Sequence, residues 1–171
     1  AYANIVYENT VVRSTDFNAA VPAQLGAARA TDQTSEHIGA GDGWSNVAEV
    51  EGIGGITGFR CLHKQWGSTT DKLHDPKWKA PQGTALTFRF YCTEPQSLVL
   101  GADQRYSCDL EISASDQWQQ KTVPASMLLH NLTHKPLLEW SEMGTLELKP
   151  KPGADITRVI FADFRWIRVP Q

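Results

Sequence analysis

Polar and apolar residues alternate most regularly over residues 84–92. There Leu86, Phe88, Phe90 and Cys92 fall on one side of an extended chain, and Thr87, Arg89 and Tyr91 on the other. A period of two marks a half-buried strand, because successive side chains of a strand point to opposite faces. A second alternation sets Cys108, Leu110 and Ile112 against Ser107, Asp109, Glu111 and Ser113. Runs at 4–7, 57–66, 97–101, 119–123, 145–148 and 158–169 are further candidate strands, divided by Gly- and Pro-rich turn clusters at 52–58, 67–70, 94–96 and 149–153. Helical periodicity never persists. Residues 19–30 are Ala-rich, but Pro22 and Gly26 interrupt them and predict a long loop, while 124–129 has room for a single turn. Short strands so punctuated predict an all-β, antiparallel two-sheet β-sandwich, with under about 10% helix.

The chain has 171 residues, 41% hydrophobic and 20% charged, which is enough to enclose one core without a staple. No repeat, low-complexity tract or linker divides it, so residues 1–171 are expected to form a single domain. Sixteen Lys and Arg against nineteen Asp and Glu leave a net charge of -3. That balance argues against a nucleic-acid partner, whose phosphates call for a basic surface. No window approaches the roughly 18–20 apolar residues that cross a bilayer, so no membrane partner is expected either.

Residues with catalytic potential are present without the spacing that catalysis needs. Cys61, Cys92 and Cys108 have no metal-site spacing and leave an odd thiol whatever pairs; they are expected as core thiols, with a Cys92–Cys108 disulfide as the alternative. His130 and His134 are four apart, but no Glu adjoins His130 as a zinc-hydrolase helix requires, and Pro136 follows. There is no Gly-x-Ser-x-Gly elbow, and the Gly52-Ile53-Gly54-Gly55 string lacks the setting of a phosphate loop. Asp109 and Glu111 share one side of a strand, where solvated surface is the plainer reading than a catalytic pair. No catalytic residue is assigned.

Among the six tryptophans, Trp118, Trp140 and Trp166 lie in or beside apolar strands and are expected in the core. Trp66 and Trp78 bracket a polar stretch carrying Asp71, Lys72, His74 and Asp75, and Trp44 sits in a Gly-rich loop. Planar rings among polar groups suit stacking on sugars, whose C–H faces are apolar and whose rims are hydroxyl-rich. These three are the candidate platforms. Arg89, Tyr91, Asp109 and Glu111, taken as one outer sheet face, are the candidate hydrogen-bonding groups, and Tyr106 is a further candidate contact.

Four segments carry a resemblance: 116–126 with Trp118 and Pro124, 135–140 ending in Trp140, Gly-Thr-Leu-Glu-Leu from 144, and Phe161-Ala-Asp-Phe-Arg-Trp-Ile167. Together with the opening Ile5-Val6-Tyr7-Glu8-Asn9, they resemble the galactose-binding-domain-like jelly rolls that serve as carbohydrate-binding modules of bacterial polysaccharide-degrading enzymes. The resemblance implies a structural calcium where first and last strands meet, held by Glu8 and Asp163 with Asp42 as a further ligand. Oxygen ligands of that kind suit Ca²⁺. It also implies a polysaccharide or oligosaccharide partner, a tether to a catalytic domain in the parent protein, a monomer, and a secreted or cell-surface bacterial location. Two other functions compete with a non-catalytic module: a structural sandwich of a larger secreted glycan-active enzyme, and a small jelly-roll esterase or lyase.

Overall fold

A computed structural model describes residues 43–168. Among these residues ten strands follow in chain order: β1 (Val47–Ile53), β2 (Ile56–Cys61), β3 (Ser68–Thr70), β4 (Thr84–Tyr91), β5 (Gln96–Ala102), β6 (Tyr106–Ile112), β7 (Gln119–Val123), β8 (Leu129–His130), β9 (Leu146–Pro150) and β10 (Ile160–Arg168). All pairings are antiparallel. One sheet has the order β3-β9-β5-β6-β8 and the other β1-β2-β10-β4-β7. The only helical pieces among the described residues are 3₁₀ turns, such as Lys72–His74 and Ala125–Met127. The described residues therefore form the all-β, antiparallel two-sheet sandwich that the punctuation predicts, in keeping with the jelly roll that the resemblance implies.

Each sheet turns its apolar side inward, and the two sides merge into one cluster. Leu98, Leu100, Leu110, Leu146 and Leu148 come from the first sheet, and Phe59, Leu86, Phe88, Phe161 and Trp166 from the second. At its centre Phe88 stacks on Phe164, with centroids 4.8 Å apart and planes at 9°. Phe164 reaches that position through a bulge: β10 runs in register with β4 to Ala162 and resumes at Arg165, so two residues oppose Phe88. A bulge bends the strand and re-aims a side chain. Asp163 takes the bulge's left-handed conformation (φ 63°), which Asp tolerates better than most residues.

Two segments differ from the sequence reading. The run at 57–66 stops as a strand at Cys61, and the supposed turn at 67–70 contains β3. Ser68 and Thr70 are buried there although polar, because β3 pairs with β9 at the sheet edge. Strand β1 escaped notice, and the glycine cluster beside it narrows to a two-residue hairpin turn. Ile53 pairs with Ile56, and Gly54 and Gly55 both have positive φ, the conformation that a type I′ turn demands. The candidate strand at 4–7 and the loop at 19–30 lie outside the described residues.

Candidate functional site

Gly67 sets the position of Trp66. Its φ is 69°, and its Cα lies so close to the Leu148 carbonyl of β9 that no Cβ would fit. The preceding loop is thereby pinned to the end of β9, with Leu62, His63, Lys64, Gln65 and Trp66 all exposed. Trp66 is 69% exposed, and the His63 ring leans against it with centroids 4.4 Å apart. The two residues between these rings, Lys64 and Gln65, line a cleft of about 440 Å³ together with Lys151, Asp155 and the Pro150–Gly153 turn. Asp155 accepts hydrogen bonds from Thr157 N (3.0 Å) and from the Thr157 hydroxyl (2.5 Å). These bonds, with smaller help from Arg158, hold its carboxyl below the ordinary carboxylate range against the opposing effect of burial.

Lys151 links that cleft to the outer face of the first sheet. Its ammonium lies 2.9 Å from Asp109 and 3.8 Å from Glu111, and Glu111 also accepts from the Ser97 hydroxyl at 2.7 Å. The hydrogen bond to Asp109 is the main reason the Lys151 pKa is raised. Asp109 and Glu111 thus form a charged flank one residue's reach from the Trp66 cleft.

The other candidates lie elsewhere. Contrary to the expectation of one shared face, Arg89 and Tyr91 lie apart from Asp109 and Glu111: they belong to β4, on the outer side of the opposite sheet. Alternation within a strand tells which side is outward, but not which sheet the strand joins. On that face the Tyr91 and Trp118 rings meet at 5.8 Å, so Trp118 is half-buried at an edge rather than in the core. Tyr106 is half-buried at the start of β6, edge-on to His130 at 5.1 Å, with Arg105 5.7 Å from its ring. Trp140 and Trp166 are buried as expected, each donating its Nε1–H at 2.9 Å to a backbone carbonyl, of Val123 and Trp78 respectively.

Trp78 and Trp44 are corrected from platforms to core residues. Trp78 is 2% exposed: the Asp75 carbonyl receives its backbone N–H, folding the loop so that the indole packs inward beside Leu73 and Ala80. Trp44 is 5% exposed and stacks on Phe59 at 5.2 Å. Neither ring is exposed as a stacking platform must be.

Of the calcium ligands that the resemblance implies, Glu8 and Asp42 lie outside the described residues. Asp163 is among them, and as placed it does not fit a cation. It is 3.4 Å from Arg89 Nε and hydrogen-bonded to Arg165, so two guanidinium groups already meet its charge. Burial lowers the pKa of Arg89 in the same cluster. No cluster of three or more His, Cys, Asp or Glu suited to a metal occurs among the described residues. His134 is not on a helix with His130 but in a tight turn (φ 63°), donating its N–H to the His130 carbonyl at 2.9 Å. All three cysteines are free. Burial pushes Cys61 up to about 12 and Cys108 up to about 11, leaving thiols rather than nucleophilic thiolates at neutral pH.

Sequence reasoning missed Lys64, Gln65, Lys151 and Asp155, which carry no motif and meet only through the fold. Their one signal was position: Lys64 and Gln65 directly precede Trp66, Lys151 falls in the Pro- and Gly-rich turn cluster, and Asp155 follows it two residues on.

No protein-family model and no curated protein matches the chain. Among solved structures it is similar to the family 11 carbohydrate-binding module of the cellulosomal cellulase Lic26A-Cel5E of Clostridium thermocellum. That likeness has 11% identity and a TM-score of 0.49, covering 75% of this chain and 89% of that one. A family 11 module from Clostridium thermocellum in complex with a β-1,3-1,4-mixed-linked tetrasaccharide also has 11% identity and a TM-score of 0.49, over 77% of this chain and 87% of that one. The solution structure of CtCBM11, described with its dynamics and binding, has the same identity, coverage and TM-score.

Proposed function

We propose that this chain is a non-catalytic carbohydrate-binding module, with Trp66 as its stacking platform. The observation that carries the reading is that indole: 69% exposed, steadied by His63, and adjoining a cleft of mixed hydrogen-bonding groups. The exposed indole offers a free aromatic face, and a sugar supplies the complementary apolar face and polar rim. Lys64, Gln65, Lys151 and Asp155 would bond the ring hydroxyls, with Asp109 and Glu111 setting the charge of Lys151. Asp109 and Glu111 neutralise that lysine in the open, an arrangement that favours a binding surface over a general acid–base pair. In this reading the module holds a glycan-active enzyme or a cell surface on polysaccharide, outside a bacterial cell.

Native affinity electrophoresis through gels containing soluble plant and algal polysaccharides tests the proposal. The wild-type chain is expected to be retarded by at least one of them, without turnover, and Trp66→Ala to be retarded much less. Unretarded migration of the wild type across the panel would overturn it.

Calcium belongs to the proposal only through the resemblance, since Asp163 would have to leave its arginines. If an ion is held, excess chelator lowers the melting temperature and calcium restores it, because a ligand of the folded state stabilises by mass action. An unchanged melting curve in demonstrably metal-free protein removes calcium and leaves the Trp66 site intact.

A further inference from the structure

At the opposite end of β9 from Trp66 the first sheet carries a second cleft, of about 520 Å³, within the range of small-ligand sites. Among the side chains lining it are Trp44, Thr69, Asp71, Gln104 and Glu147. Three features distinguish it from an accidental hollow. Glu147 is 3% exposed, and its carboxylate lies over Gly101, where a Cβ would stand 2.9 Å from Oε1; Lys149 Nζ, at 3.0 Å, leaves it further acceptor capacity. Trp44 borders the cleft, and its buried Nε1–H finds no acceptor among the described residues. A buried polar group left unpaired is costly and marks a place where a partner is missing.

The third feature is the turn between β5 and β6. Asp103 and Gln104 both have positive φ, 54° and 57°, a conformation that Gly adopts without strain. Asp103 has a structural reason to be there: its Oδ1 accepts from Gly144 N and Thr145 N, each at 2.9 Å. Gln104 makes no such bond among the described residues, and its exposed side chain lines the cleft. A strained residue where Gly would serve better points to a role for the side chain.

We infer that this cleft is a second, separate carbohydrate subsite that takes one sugar residue by its adjacent hydroxyls. The donor and acceptor set fits that chemistry: two carboxylates accept from neighbouring hydroxyls, the Gln104 amide and the Thr69 hydroxyl bridge them, and Trp44 forms part of the wall. The inference takes the ligand class from the proposed function but does not depend on Trp66.

The test is nitrogen–proton NMR of the indole N–H resonances, with that of Trp44 assigned by its loss in Trp44→Phe. Glucose, galactose, mannose and xylose are titrated separately to tens of millimolar. A saturable shift of the Trp44 resonance is expected with at least one sugar, unchanged in Trp66→Ala and weakened about tenfold or more in Glu147→Gln. Gln104→Gly relieves the strained turn and should fold at least as well, yet also weaken the titration, so the inference stays testable if Glu147→Gln misfolds. No Trp44 response to any sugar, or a response that disappears in Trp66→Ala, would overturn it. Retardation of the wild type on polysaccharide with a silent Trp44 sinks this subsite alone, whereas a Trp44 response with full retardation of Trp66→Ala sinks the platform alone.

Discussion

Trp66 and Trp78 stand at the two ends of one polar stretch, yet one indole lies in water and the other in the core. Their neighbours are alike in type: Lys64 and Gln65 precede the first, and Lys77 and Lys79 flank the second. What differs is the backbone. Around Trp78 the Asp75 carbonyl takes the N–H groups of Trp78 and Lys79, at 2.8 and 3.0 Å, and curls the chain back on itself. The Trp78 carbonyl then receives the Trp166 indole N–H, and Lys77 covers the ring at 5.3 Å. Around Trp66 the chain is instead pinned at Gly67 against β9, which leaves the residues before it projecting. Local polarity is therefore no guide to whether a tryptophan is exposed; the hydrogen bonds of its own loop decide.

The largest expected effect breaks the buried side of this comparison. Trp78→Ala should cost about 3–5 kcal/mol of folding stability, the usual range for removing a core aromatic ring. Denaturant melts measure it. A loss under about 1 kcal/mol, the scale of ordinary substitutions, would mean that the ring is not part of the core.

Gly67→Ala should come next, at about 1–3 kcal/mol, since the added methyl meets the Leu148 carbonyl and the backbone holds a positive φ. Because the same contact positions Trp66, the variant should also lose affinity for polysaccharide while still folded. Wild-type affinity in Gly67→Ala would detach the platform from its anchor.

Much of the scaffold was legible because burial repeats every two residues. Strands β4, β6 and β7 stand where alternation or apolar runs put them, and the Gly54-Gly55 turn follows from the one conformation that joins such strands in two residues. Strand β3 was hidden because Ser68 and Thr70 are polar, and only pairing with β9 makes them interior. The bulge that admits Phe164 was hidden too, although Asp163 inside an apolar run was its trace. The site was less legible than the scaffold. Arg89 and Tyr91 alternate as cleanly as Asp109 and Glu111, but sheet membership depends on long-range pairing that no local pattern encodes. Trp66 was readable as a candidate, whereas its rejection of Trp78 as companion was not.

Trp66→Ala sharpens the exposed side of the comparison. Binding should weaken about tenfold, or about 1.4 kcal/mol, while stability moves by no more than about 0.5 kcal/mol, as for other surface substitutions. Paired melting and affinity measurements on this variant and Trp78→Ala should give opposite patterns. A large loss of stability in Trp66→Ala would return that indole to a structural role.

The smallest effect concerns the acid beside the platform. Asp155 is bonded to Thr157 and Arg158 in the folded chain, which lowers its pKa below that of the unfolded chain. The folded state then binds its proton less readily than the unfolded state does. Its contribution to stability is complete above the unfolded value and fades as pH falls through the lowered folded value. Asp155→Asn keeps an amide oxygen for the Thr157 N–H but carries no charge to titrate. The wild type should therefore be slightly the more stable at neutral pH, with the difference shrinking in acid as its carboxylate takes up a proton. Melting temperatures of both proteins across an acid series would show it. A gap that stays constant from neutral pH to strong acid would mean that Asp155 holds the turn by shape alone, and that the cleft beside Trp66 owes nothing to its charge.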